Sequence, residues 1–228
     1  EPILKMTQLR DLKWVAHTET WGEMLNGLPH LETLWLSFRH DRTDTPWLGN
    51  TTLRTLTLWN VAHTKEVLPA LTNMSQLTHL CLHGELDGLE HLLKPISAMY
   101  SLESFALELT TSYQTSNTNT SHLADWIQIL PASLQSLKLD HVFCGEEIDW
   151  NGFYKFDQLT SLVCDHIGFY HWSDFNKLLP QLPLTLTSLT LKARGMYPGW
   201  LLDLPDLPHL TRLSVLQDAP LTSDPNPQ

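Results

Sequence analysis

Residues 77–82 read LTHLCL, and the pattern L-x-x-L-x-L that they follow recurs along the whole chain. Nine segments fit it when another apolar residue or Cys replaces Leu, and they start 22 to 32 residues apart. Such regularity indicates stacked structural repeats, because a single unit cannot bury its own leucines. The segments are LRDLKW (9–14), LETLWL (31–36), LRTLTL (53–58), LTHLCL (77–82), LESFAL (102–107), LQSLKL (134–139), LTSLVC (159–164), LTSLTL (186–191) and LTRLSV (210–215).

This repeat resembles that of the leucine-rich-repeat family, over essentially the whole chain. The resemblance implies a curved α/β solenoid of about nine repeats, with a parallel β-sheet on the concave face and helices or 3₁₀ turns on the convex face. The family usually places Asn or Cys eight positions after the first Leu, and this chain has no such ladder. The repeats therefore look more like divergent intracellular, ribonuclease-inhibitor-like units, such as those of F-box proteins.

The repeats place a solenoid over residues 1–217 and leave residues 218–228 as a tail. The tail is rich in Pro and Asp, so we expect it to be flexible. Residues 110–121 fill the longest interval with Ser, Thr and Asn, which predicts a surface loop. The first residues already look like a repeat, so we expect an N-terminal capping domain or a partner subunit to cover that end.

The charge balance, the hydrophobic runs and the cysteine content limit which partners and which cellular compartment we expect for the chain. There are 14 Lys and Arg against 25 Asp and Glu, and the net charge of -11 disfavours binding to the phosphate backbone of nucleic acids. No apolar run is long enough to span a membrane. Three cysteines, an odd and small number, favour a reducing intracellular compartment, the cytoplasm or nucleus. The N-x-[ST] sequons at Asn50, Asn73 and Asn119 make secretion the alternative.

The candidate binding surface follows from the period of two in a strand. Side chains two, four and six positions after the first Leu of each unit should face outward. Trp35 and Trp59 then lie on adjacent strands as a candidate binding hot spot. Glu108, Asp140 and Asp165 form an acidic stripe, which either Lys138 and Lys192 or a basic partner would offset. The predicted partner-binding residues are Trp35, Trp59, His79, His83, Glu108, Lys138, Asp140, Asp165, Lys192 and Arg212.

His79, Cys81 and His83 alternate along one strand and are the best metal-ligand candidates in the sequence. Two ligands on one strand can bind zinc, but three in a row span a single ion poorly, and only Glu108 is available from the adjacent strands. We therefore expect a row of contact residues rather than a metal site, and no cofactor.

The sequence carries none of the common catalytic or nucleotide-binding motifs that we looked for. We therefore expect a non-enzymatic module that binds a protein or peptide on its concave sheet. One alternative is the substrate-recognition domain of an F-box-type ubiquitin ligase, although no F-box segment is present in this sequence. A second alternative is a secreted or pathogen-derived recognition protein.

Overall fold

The computed structural model of the chain describes residues 6–16, 25–38, 52–60, 71–84, 90–110, 127–140, 150–165, 178–194 and 204–218. Nine parallel strands in these ranges form one sheet, in the same order as in the chain. The strands are β1 (Asp11–Ala16), β2 (Thr33–Phe38), β3 (Thr55–Trp59), β4 (His79–Gly84), β5 (Ser104–Leu109), β6 (Ser136–Asp140), β7 (Ser161–Asp165), β8 (Ser188–Arg194) and β9 (Arg212–Asp218).

All nine predicted segments form strands, and each strand begins two residues after the first Leu of its segment. The register is the same at all eight strand junctions, so equivalent positions of neighbouring repeats lie side by side. The predicted α/β solenoid with about nine repeats and a parallel sheet is therefore confirmed. The equal register follows from the leucines, since a shift of one residue would turn them away from the core.

The repeated leucines form the core. In each of β2 to β8, the two inward-facing side chains that belong to the repeat pattern are at most 2% exposed, as in Leu34 and Leu36 of β2. The first Leu of each unit from Leu31 to Leu186 is also fully buried. It lies in a tight entry turn in which its N–H donates to the carbonyl three residues earlier, as Leu77 donates to Met74 at 3.1 Å. Each buried Leu contributes roughly 1.5–3 kcal/mol, so stability is spread evenly along the stack.

Hydroxyl groups at the strand entries link successive repeats. The Thr78 hydroxyl donates to the Arg54 carbonyl of the preceding repeat at 3.0 Å. Thr160, Thr187 and Thr211 make the equivalent bond in the last three repeats, at 3.0 to 3.1 Å. These hydroxyls add a side-chain bond to carbonyls that already accept backbone N–H groups of the following repeat, in a chain that has no asparagine ladder.

The connections between strands are partly described. Helix α1 (Glu90–Ser97) precedes β5, and 3₁₀ helices Trp150–Lys155 and Leu179–Gln181 precede β7 and β8. Residues 111–121 of the predicted insertion loop and residues 219–228 of the predicted tail lie outside the described residues. Strand β9 ends at Asp218, one residue beyond the predicted end of the solenoid.

Candidate functional site

The outward-facing side chains of the sheet form three rows that run across all nine strands, and we call this surface the open face. The pairing of the strands reproduces the predicted rows position by position. The first row runs from Asp11 to Arg212, the second from Lys13 to Ser214, and the third from Val15 to Leu216. Every predicted partner-binding residue therefore lies on this surface, although its role in binding stays a prediction.

Four side chains on β1 to β4 contact one another in sequence, and we call them the aromatic row: Lys13, Trp35, Trp59 and His83. The Lys13 ammonium lies 4.4 Å from the centre of the Trp35 ring, a cation–π contact. The rings of Trp35 and Trp59 are 6.1 Å apart and tilted by 40°. His83 stacks on Trp59 at 3.9 Å and 17°. The row steps from the second outward position to the third between Trp35 and Trp59, so it crosses the sheet diagonally.

The sequence placed the two tryptophans on adjacent strands but did not reveal that Lys13 and His83 extend them. Lys13 was not among the predicted partner-binding residues. The sequence did contain a signal for this contact. Lys13 occupies the position directly beside Trp35 in the second outward row, where a lysine side chain can reach the indole ring. The contact distance itself depends on the side-chain conformations.

The metal-ligand candidates on β4 are engaged with different neighbours. The Nδ1 atom of His79 is 2.9 Å from the Thr78 hydroxyl, while the ring of His83 faces Trp59. Burial, and then the negative charge of Glu108, raise the pKa of the Cys81 thiol to about 11, despite the opposing effect of Lys138. This thiol is therefore neutral at pH 7. Within the described ranges, no three His, Cys, Asp or Glu side chains are grouped as metal ligands.

The predicted acidic stripe is crossed by two lysines, and we call the five residues the ion-pair ladder: Glu108, Lys138, Asp140, Asp165 and Lys192. The Lys138 ammonium donates to Glu108 at 2.5 Å and lies 4.0 Å from Asp140. Lys192 lies 3.4 Å from Asp165. Of the two possibilities open from the sequence, compensation within the chain is the one observed in the structure.

The ladder residues are largely covered, which strengthens their pairing. The side chains of Glu108 and Asp140 are 20% and 18% exposed, and that of Lys138 is 36% exposed. Burial by itself would lower the pKa of Lys138. The hydrogen bond to Glu108 and the charges of Glu108 and Asp140 outweigh it, so the pKa is raised. Lys138 therefore keeps its positive charge throughout the neutral range.

The remaining predicted site residue, Arg212, lies apart from both groups. It is exposed on β9, where Leu213, Val215 and Leu216 are also 36% to 49% exposed. This edge of the sheet thus differs from the interior strands, in which the equivalent inward positions are fully buried.

Comparison with known proteins finds similarity only at the level of the fold. No protein-family model matches the chain, and no curated protein matches it. An internalin (inlF) from Listeria monocytogenes has 20% sequence identity and a TM-score of 0.53, and the match covers 95% of this chain and 65% of the internalin. Internalin C2 from the same organism has 14% identity and a TM-score of 0.47, with 85% and 74% covered. This chain thus spans about 65% of the length of the first of these structures.

The similarity to the internalin inlF supports the same fold as the strand order and the register, a solenoid with one parallel sheet. In the described residues, no helix is long and apolar enough to cross a membrane. The ribonuclease-inhibitor-like and F-box subclasses stay predictions. The chain folds as a curved leucine-rich-repeat solenoid of about nine repeats.

Proposed function

We propose that the chain is a non-enzymatic interaction module that binds a protein or peptide segment on its open face, with the aromatic row at the centre. The observation that carries the proposal is the contact series from Lys13 through Trp35 and Trp59 to His83. These side chains lie outside the leucine core, and yet they hold one another in place. Tryptophans fixed in this way lose little conformational entropy on binding, which favours affinity.

The aromatic row is a better binding centre than the ion-pair ladder. The outward-facing positions of β2 and β3 carry Thr, Ser and Trp but no formal charge. A partner can cover uncharged side chains without the desolvation penalty that ionised groups impose. The ladder, in contrast, already has its main charges paired within the chain. Its role in the proposal is to orient the partner and to contribute at the rim.

A catalytic role has less support from the same geometry. His83, Glu108 and Asp140 occupy the third outward row of three adjacent strands. Acid–base catalysis needs such groups to converge on one substrate atom. Here Glu108 is bound to Lys138, and His83 is stacked on Trp59. These contacts favour a binding surface over a reaction centre.

The test uses a library of random linear peptides as the probe. Selection against the wild-type protein should enrich a family of peptide sequences. The double variant Trp35→Ala/Trp59→Ala should bind the enriched peptides at least about tenfold more weakly, with unchanged circular dichroism. Tyr100→Ala is the matched control, because Tyr100 is 81% exposed and lies in an entry turn, away from the open face. Unchanged binding by the double variant would contradict the proposed site.

We further propose an intracellular location, and a role as the substrate-recognition part of an F-box-type ubiquitin ligase is one specific form of the function. The free thiols of Cys81 and Cys164 support a reducing compartment. A secreted or pathogen-derived recognition protein is the alternative, and the exposed sequon residue Asn73 offers its test. A glycan on Asn73 in protein from the native source would favour secretion. Copurification with ubiquitin-ligase adaptor proteins would favour the F-box form.

A further inference from the structure

A row of hydroxyl groups crosses the open face near the start of the strands. The first outward position carries Ser or Thr in six of the seven strands from β2 to β8, and His79 occupies it in β4. Each of the six residues is only partly buried, and within the described part of the chain their hydroxyl groups have no hydrogen-bond partner. We call these residues the hydroxyl row: Thr33, Thr55, Ser104, Ser136, Ser161 and Ser188.

The hydroxyl groups one position earlier in the repeats have a different role. Those of Thr78 and Thr160 donate to backbone carbonyls of the preceding repeat, so they contribute to the fold. The hydroxyl row makes no such bond. Each of its hydroxyl groups still offers one donor and two acceptor positions. The row therefore provides a line of hydrogen-bonding groups that the fold itself does not use.

The charge of the surrounding surface limits the kind of ligand that fits the row. From β2 to β5, the first and second outward positions carry no Asp, Glu, Lys or Arg. The charged members of the ion-pair ladder lie in the third row or begin in the second row at Lys138 on β6. An uncharged ligand can cover such a surface without removing an ion from water. The charge pattern thus complements an uncharged peptide segment better than an acidic or a basic one.

The spacing of the row selects the conformation of the segment. Neighbouring strands lie about 4.8 Å apart, so alternate strands lie about 9.6 Å apart. A polyproline II helix has three residues per turn and a rise of about 3.1 Å, so every third residue returns to the same side after about 9.3 Å. An extended β-strand repeats after about 6.6 Å and an α-helix after about 5.4 Å, which fit one or two strand spacings less closely.

The sequence of the row also fixes where such a segment finds a hydroxyl group at every turn. Among the nine strands that the structure describes, β3, β5 and β7 are the one set of three alternate strands whose first outward residues are all Ser or Thr. These residues are Thr55, Ser104 and Ser161. Trp59 lies on β3 as well, so the aromatic row adjoins one end of this set.

We propose that the open face binds an uncharged, proline-rich segment of a partner protein in the polyproline II conformation, with every third residue over Thr55, Ser104 and Ser161. The three hydroxyl groups donate to backbone carbonyls of the segment. Its prolines at the β3 end pack on Trp35 and Trp59, since aromatic side chains are the usual platform for this conformation. The inference rests on the proposed peptide-binding function and specifies the ligand.

Selection from three peptide libraries against the wild-type protein tests the ligand. The first library fixes Pro at every third position, the second fixes the same number of Pro at every second position, and the third is fully random. Peptides from the first library should bind at least about tenfold more tightly than those from the second, because only the first places its prolines on one side of the helix.

Equal affinities from the first two libraries would overturn the inference. If the random library yields tighter peptides without regularly spaced Pro, the inference is overturned while the proposed function is supported. If no library yields a binding peptide, both are overturned.

A triple variant tests the position of the segment. Thr55→Val/Ser104→Ala/Ser161→Ala removes the hydroxyl groups of β3, β5 and β7 but keeps side chains of similar size. It should weaken binding of peptides selected from the first library at least about tenfold, because three hydrogen bonds are lost. Circular dichroism should be unchanged, since these hydroxyl groups have no partner in the described part of the chain.

The matched control is Thr33→Val/Ser136→Ala/Ser188→Ala, which removes the same residue types from the same row on β2, β6 and β8. It should leave the affinity for these peptides nearly unchanged, because the segment places its contacts on the alternate strands. Equal losses in the two triple variants would overturn the proposal, and so would unchanged binding by the first.

Discussion

The aromatic row and the ion-pair ladder occupy the same rows of the same sheet, but they are stabilised by different forces. Both depend on diagonal contacts. Trp35 reaches Trp59 from the second outward position to the third, and Lys138 reaches Glu108 in the same two positions. The directly adjacent residue of Glu108 is Asp140, a like charge. Parallel strands in fixed register thus place equivalent residues side by side. A diagonal neighbour of opposite charge, such as Lys138, then determines whether two like charges in one row are stabilised.

The two groups should respond differently to salt. The aromatic row is held mainly by ring contacts and dispersion, which ionic strength hardly affects. The ladder is held by partly exposed charges 2.5 to 4.0 Å apart. Salt weakens their attraction as the Debye length falls from about 8 Å at physiological ionic strength to about 3 Å at 1 M. Removing one member from each group, at low and at high salt, therefore compares the two kinds of stabilisation in one fold.

The largest effect is expected for Trp59→Ala, which removes the ring between Trp35 and His83. We expect a loss of about 2 kcal/mol in the free energy of unfolding, because the variant loses both the half-buried ring and its contacts with Trp35 and His83. Urea denaturation followed by circular dichroism measures the loss, which should be the same at low and at high salt. His83→Ala should then cost less in the Trp59→Ala background than in the wild type.

Tyr100→Ala is the control for the loss of an aromatic ring, since Tyr100 is 81% exposed and should change stability little. A loss for Trp59→Ala no larger than that of the control would mean that the row contributes nothing to folding. Equal costs for His83→Ala in both backgrounds would show that the stack with Trp59 has no energetic weight.

The next effect in size is expected for Lys138→Met, which keeps the apolar stem but removes the charge. Glu108 and Asp140 then face each other without the ammonium that lies 2.5 Å and 4.0 Å from them. We expect a loss of about 1–2 kcal/mol at low salt, since two mostly covered carboxylates lose their counter-charge. Denaturation in high salt should show a smaller loss.

The double variant Glu108→Gln/Lys138→Met provides the control, because it removes one carboxylate together with the ammonium. It should be more stable than Lys138→Met alone. If Lys138→Met costs the same with and without Glu108, the hydrogen bond between these residues does not stabilise the fold. If its cost is independent of salt, the ladder is not electrostatic in origin.

Much of this surface could be predicted from the sequence, because the buried leucines fix both the register and the direction of each side chain. The positions of Trp35, Trp59, Glu108 and Asp140 on the open face followed from counting residues after the first Leu. The contacts between them did not follow, because they depend on side-chain conformations. The sequence left open whether Lys138 and Lys192 or a basic partner would offset the acidic stripe, because the hydrogen bond from Lys138 to Glu108 depends on the conformation of the lysine side chain.

The metal-ligand candidates illustrate the same limit. The period of two correctly placed His79, Cys81 and His83 on one face of β4. A metal site also needs their atoms to converge, and here Thr78 and Trp59 engage the two imidazole rings instead. The sequence analysis also missed the threonine bonds between repeats, because it considered only the Asn or Cys expected eight positions after the first Leu. Their signal was present as Thr after the first Leu in four of the nine segments.

Cys81 lies between the aromatic row and the ion-pair ladder. The pKa of its thiol responds to the charges of Glu108 and Lys138 in the ladder. Burial, and then the charge of Glu108, raise the pKa of this thiol from the ordinary cysteine value of 9.0 to about 11. The folded state thus favours the neutral thiol. The stability that this thiol contributes is present at neutral pH, declines as the pH rises above about 9, and stops declining near 11.

The smallest effect is therefore expected on the reactivity of this thiol rather than on the fold. In a Cys144→Ser background, iodoacetamide should alkylate Cys81 with a pH midpoint of about 11, while buried Cys164, with a pKa of about 12, reacts more slowly. Glu108→Gln should lower the midpoint, because it removes a charge that opposes the thiolate, and Lys138→Met should raise it. Lys94→Met, at the exposed end of α1, should leave it unchanged. Equal midpoints in all three variants would mean that burial alone determines this pKa and that the charges of the ladder do not reach Cys81.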